Sequence, residues 1–125
     1  MEGVDDLRRA LKKAGALAPT ALASAMVVEQ EVVMSIAKPR TPVDKGPLRA
    51  SGTVLPPEVS GTSITVASGF GGAAKQYAVV QHEDLSLSHS VGQSKFLESA
   101  FNERKSGMGK RLALGVGKAL GRLGK

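Results

Sequence analysis

His82, Glu83, Asp84 and His89 are the residues whose types could do chemistry together. Two imidazoles and two carboxylates this close can ligate a divalent cation or hold a water for attack. Their spacing points elsewhere. The HExxH pattern sets two histidines four apart on one helical face, whereas here five residues follow His82-Glu83 before His89, in a serine-rich stretch that reads as a loop. The plainer role for His82 and Glu83 is to cap a strand end and bond loop backbone or a neighbouring subunit. Asp44 beside Lys45 and Gly46 reads as a turn. Gly92-Gln93-Ser94-Lys95, Gly107-Met108-Gly109-Lys110 and Gly115-Val116-Gly117-Lys118 all lack the P-loop pattern. No serine sits in a GxSxG elbow. No nucleophile, base and orienter pair off, so no enzyme activity, metal, cofactor or small-molecule substrate is expected.

The second chemical feature is charge. The 125 residues carry a formal +6, but residues 1–103 hold 10 Lys/Arg against 11 Asp/Glu, and residues 104–125 hold 7 Lys/Arg and no acid. The basic excess therefore lies at the C-terminal end. Lys110, Arg111, Lys118, Arg122 and Lys125 are its candidate contacts to DNA or to an acidic partner. With no aromatic there to stack on bases, such DNA binding is non-specific and salt-sensitive. A membrane role is not expected: the segment lacks Trp and Phe, and no stretch of the chain approaches the roughly 18 apolar residues of a span. Glu2, Asp5 and Asp6 open the chain where a secretory signal would need an apolar run. The chain has no cysteine, which removes disulfides and thiolate sites and suits a reducing cytosol.

Several elements must position these residues. Val4, Leu7, Leu11 and Ala14 recur at helical spacing, so Asp5 to Leu17 reads as a helix with acids first and bases later. Pro19 opens a second, longer helix over about Thr20 to Lys38. Leu22, Met26, Val33 and Ile36 form one stripe of it, widened by Val28 and Val32, and only Glu29, Gln30 and Glu31 break its apolar surface. Such a helix covers a sheet; alternatively its wide apolar face is shared with a neighbouring subunit. Pro39 and Pro42 end it. Leu48 to Leu55 and Thr62 to Ser68 read as strands joined by a turn at Glu58 to Gly61, and residues 69–74 as a glycine-rich link. Gln76 to Gln81 reads as a third strand, His82 to Gly92 as a loop, and the stretch from about Gln93 as a helix with Phe96, Leu97, Ala100 and Phe101 on one side. Three of the four aromatics (Tyr77, Phe96, Phe101) fall between residues 77 and 101, so the densest packing is expected there. In Lys105 to Lys125, Leu112, Val116, Leu120 and Leu123 keep helical spacing, but six glycines predict weak helicity, with ordering only against a partner. The fold class is α+β: a small antiparallel sheet of three or more strands packed against a long N-terminal helix and a C-terminal helix. Residues 1–104 make a single α+β domain, and 105–125 a basic, glycine-rich C-terminal tail.

Two blocks carry a family resemblance. TPVDKGPLRASG at 41–52 resembles the T-P-V-D-T-G-x-L-R-x-S pattern of the neck and tail-completion (minor capsid, head–tail joining) proteins of long-tailed bacteriophages. YAVVQHEDLSLSHSVGQSKFLESAF at 77–101 resembles that family's Y-A-x-x-x-H-E strand end followed by G-x-x-K-F-L-x-x-A. Order and spacing agree over about residues 20–104; Lys45 departs from the family's small polar residue, and the basic tail has no counterpart.

The resemblance implies a non-enzymatic virion protein at the head–tail junction, assembled in the host cytoplasm. It implies a homo-oligomeric ring of six or twelve copies that joins the capsid portal to the tail and touches the neighbouring connector and tail proteins. It implies further that Thr41, Pro42, Val43, Asp44, Gly46, Leu48 and Arg49 form a structured loop and strand start near a subunit interface. Tyr77, His82, Glu83, Gly92, Lys95, Phe96 and Leu97 then fix strand, loop and helix against the sheet. The basic tail lines a lumen through which DNA passes, or docks on an acidic neighbour; the alternative to the ring is a non-specific DNA-binding protein that uses this tail. Arg49 and Glu83 are a candidate ion pair within or between subunits. Reversing either charge is expected to weaken assembly, and reversing both to restore it, as read by light scattering.

Overall fold

The computed structural model describes residues 3–41, 51–61, 63–70, 77–83, 86–92 and 95–123. Helix α1 (Val4–Ala14) has Asp5 and Asp6 in its first turn and Lys12 and Lys13 in its last, opposite the partial charges of the helix dipole. A 3-10 turn at Gly15–Leu17 leads into α2 (Ala18–Ala37), with Pro19 in its opening turn where no N–H is needed. A second 3-10 turn, Lys38–Arg40, ends α2, and Thr41 is extended (φ −72°, ψ 132°) as a residue before proline must be.

Among the described residues the sheet has five antiparallel strands: β1 (Thr53–Val54), β2 (Glu58–Ser60), β3 (Ser63–Gly69), β4 (Tyr77–Glu83) and β5 (Ser86–Val91). β3, β4 and β5 are consecutive neighbours, and β1 and β2 share the outer edge of β3. β2 pairs with the start of β3 and β1 with its end, because Pro56 and Pro57 interrupt the ladder between them. Leu55 bridges the gap by donating its N–H to the Ala67 carbonyl at 2.8 Å. Helices α3 (Lys95–Arg104) and α4 (Met108–Leu123) close the chain.

Alternation along β3 and β4 puts Ile64, Val66, Ser68, Ala78, Val80 and His82 on the helix side. α2 packs there, α1 lies near His82 and Leu87, and α3 fits against α2 and β4. The core runs through Leu7, Leu22, Met26, Val33, Phe70, Leu97 and Phe101 into Met108, Leu112 and Val116 of α4. Phe70 and Phe96 meet edge to face, 6.5 Å between centroids and 82° between planes.

The α+β class expected from the sequence is the one observed. Four local expectations are corrected. In the stretch expected as a loop, His82 and Glu83 end β4 and Ser86–Val91 is a further strand, β5: S-L-S-H-S-V alternates, and Leu87 packs against the core. Glu58 to Ser60 is a strand, and the turn falls at Gly61, whose φ of 59° suits glycine. The packing centre is α2 rather than the stretch 77–101. Residues 108–123 are an ordered helix inside the fold, not a tail: α4 lies along α1 and α2, and Met108, Leu112, Val116 and Ala119 are buried. The expectation about membrane spans also needs correcting. The helical run Val4–Arg40 contains a window long and apolar enough to cross a bilayer, and over half of that window lies inside the fold.

The glycines of α4 have separable roles. A Cβ on Gly115 would come within 2.8 Å of the Ala25 Cβ, so glycine there lets α4 approach α2 closely, whereas a Cβ on Gly117 or Gly121 meets nothing within 4 Å. Gly115→Ala is expected to lower stability by about 1–3 kcal/mol through overpacking. Gly117→Ala and Gly121→Ala should each raise it by roughly 0.5–1 kcal/mol through helix propensity. Urea unfolding of the three variants separates the two effects.

Candidate functional site

The residues expected to form a site are scattered among the elements. His82 is buried in β4 opposite Ile64 and Leu87, with space for one water at most (about 10 Å³) beside it. His89 takes the register position opposite Val80, and Glu83 the one opposite Ser86. Asp84 lies outside the described residues. Among those described, no three His, Asp or Glu side chains come together in a way that could hold a metal.

Of the first motif block only the ends are described. Thr41 is buried and its N–H bonds the Lys38 carbonyl at 3.1 Å. Pro42, Val43, Asp44, Gly46, Leu48 and Arg49 lie outside the described residues, and so does the proposed Arg49–Glu83 pair. The closing Gly52 has a clear steric reason: a Cβ there would meet Phe70 at 2.7 Å and Met34 at 2.8 Å. In the second block, Tyr77 opens β4 opposite Gly69, and Gly92 follows β5. Lys95 is exposed at the start of α3, Phe96 is half-buried against Phe70, and Leu97 is fully buried.

The densest polar chemistry is one that spacing did not reveal. Glu29 on α2 is buried and accepts from two arginines: Arg104 Nε at 3.0 Å, Arg111 Nε at 2.8 Å and a terminal Arg111 nitrogen at 2.6 Å, all on Oε1. Arg111 also donates to the Ser106 carbonyl at 2.9 Å and to the Arg104 carbonyl. One carboxylate thereby joins the end of α3, the link between the helices and the first turn of α4. Next to it, the fully buried Gln30 donates to the Val66 carbonyl at 2.9 Å and accepts from Ser68 Oγ at 3.0 Å, tying α2 to β3. On the surface, Arg40 holds α3 through Ser99 at 2.8 Å and Glu103 at 2.7 Å. The available signal was the polar run Glu29-Gln30-Glu31 in an otherwise apolar helix: adjacent residues there point about 100° apart, so each needs its own partner.

Arg111 is therefore an internal cation and is withdrawn from the candidate DNA contacts. Lys110, Lys118 and Arg122 are exposed on α4, and Lys125 lies outside the described residues. With Leu114, 69% exposed, the three cations recur every four residues and form a ridge along the helix. An open groove of about 430 Å³ lies beside it, lined by Asp6, Lys110, Ala113 and Leu114. No family model, characterised protein or solved structure matches the chain.

Replacing Glu29 with Ala leaves two guanidinium groups without their shared partner, each about 30% exposed. The expected loss of stability is about 3 kcal/mol. A chain ending at Ser106 loses the buried Met108, Leu112, Val116 and Ala119 and is expected to lose its cooperative thermal transition in circular dichroism. Lys118→Ala should shift stability by less than about 0.5 kcal/mol.

Proposed function

We propose that the chain is a structural component of the head–tail connector of a tailed bacteriophage, a subunit of a ring between capsid portal and tail. Two motif blocks in the order of the neck and tail-completion proteins, on an α+β domain, support this reading. The observation that carries it is the surface of α2. This helix is apolar over nearly its whole circumference, yet Val28 is 57% exposed and Leu17, just before it, 42%. A helix apolar all round belongs inside a protein, and Val28, set among Ser24, Glu31 and Ser35 on its outer face, is an apolar anchor that a neighbouring copy would cover. Closed rings also cover sheet edges, and among the described strands β5 is an outer one. On this reading, particles made without the protein accumulate filled heads and separate tails. Normal joined particles in its absence would refute it.

The second reading, non-specific DNA binding, has one feature in its favour: the exposed cations of α4 have no acid among them. A truncation before α4 is a poor test, since it removes part of the core. Charge reversal at Lys110, Lys118 and Arg122 leaves the buried face intact. If these residues bind phosphates, the slope of log K against log salt should lose roughly 3 units in the triple variant. An unchanged slope removes α4 as the DNA contact.

A further inference from the structure

The exposed ridge of α4 and the exposed strip of α2 are complementary. Ser24, Val28, Glu31 and Ser35 lie on one stripe of α2 at helical spacing, with Val28, Glu31 and Ser35 exposed. Glu31 is the only exposed charge of that helix, because the other acid, Glu29, is buried in its pair of arginines. The ridge of α4 offers the reverse: Lys110, Lys118 and Arg122 without an acid, and Leu114 as its one large apolar side chain. Gly117 and Gly121, three and seven residues after Leu114, face open surface.

We propose that the α4 ridge of one copy of this chain seats on the α2 strip of the next copy, with Leu114 on Val28 and Lys110 beside Glu31. The spacing fits an antiparallel seating. Lys110 lies one turn before Leu114, and Glu31 one turn after Val28, so both pairs meet at once across a rise of about 5.4 Å. Antiparallel helices also bring opposite dipole ends together. The three cations of the ridge repel their like, which disfavours α4 against α4. Each copy then presents one surface and receives the other, the head-to-tail arrangement from which rings are built when the rotation closes. The contact deepens the ring reading and rests on it.

The chain has no cysteine, so paired cysteines report the contact without background. Val28→Cys and Leu114→Cys each replace an exposed side chain. Mixed under oxidising conditions, the two single variants should form a disulfide-linked pair. The double variant should form a ladder that extends past two copies. Glu31→Lys should weaken self-association several-fold in light scattering, and adding Lys110→Glu should recover it. The contact is wrong if mixed single variants link no more than either alone, or if Lys110→Glu deepens the loss. Placement in virions is scored separately by the heads and tails that fail to join. A protein required for joining whose Val28→Cys and Leu114→Cys variants give no mixed disulfide retains the ring reading and loses this contact; one that links but is dispensable for joining does the opposite.

Discussion

Glu29 sits in the middle of the longest helix with its side chain almost out of water. A carboxylate there costs several kcal/mol unless it is matched by opposite charge and hydrogen bonds. Arg104 and Arg111 supply both, from either side of the short link between α3 and α4. The match fixes where α3 stops and where α4 begins, and it aims α4 back along α2. Arg111 then lies beside Glu29, and Gly115 beside Ala25, so the two helices run antiparallel. The burial of Met108, Leu112 and Val116 follows from that direction. Apolar burial supplies most of the energy of such docking, while the ion cluster selects the geometry in which it occurs.

Gln30 performs the corresponding task toward the sheet. Its amide bonds a β3 carbonyl and a β3 side chain, so it sets α2 over that strand. Glu29 and Gln30 thus hold the same helix to α4 and to the sheet. The aromatic content is too small to fill a core of this length, and the interior depends on Ala, Val, Leu and Met brought close. Gly115 against Ala25 and Gly52 against Phe70 and Met34 are two places where only a hydrogen in place of a side chain permits that approach.

The division of the cations bears on function. The seven basic residues after position 103 look alike as a charge count, yet Arg104 and Arg111 are committed to Glu29 inside the fold, and Lys110, Lys118 and Arg122 remain at the surface. A basic segment that anchors a fold has a different meaning from one that trails from it. The first presents its outer charges on a rigid ridge at fixed spacing, which suits a specific protein contact better than a loose electrostatic one.

The fold class and the helical ends were legible in the sequence because they rest on local rules. Periodicity of apolar residues marked α1, α2, β3, β4 and α3, and prolines at 19, 39 and 42 marked where α2 begins and stops. The strand β5 was missed because Ser86 to Val91 alternates polar residues with only two apolar ones, and serine signals loop as readily as edge strand. The C-terminal helix was missed for a different reason. Four glycines within it lower its intrinsic helicity, and propensity is a weak prior against packing. What makes that segment a helix is a groove formed by α1 and α2, and a buried glutamate 82 residues away in sequence. The sequence alone determines which residues seek a core and where the chain turns; only the tertiary structure decides which charges meet, since a carboxylate's partner is set by three-dimensional proximity and by the loss of water around both.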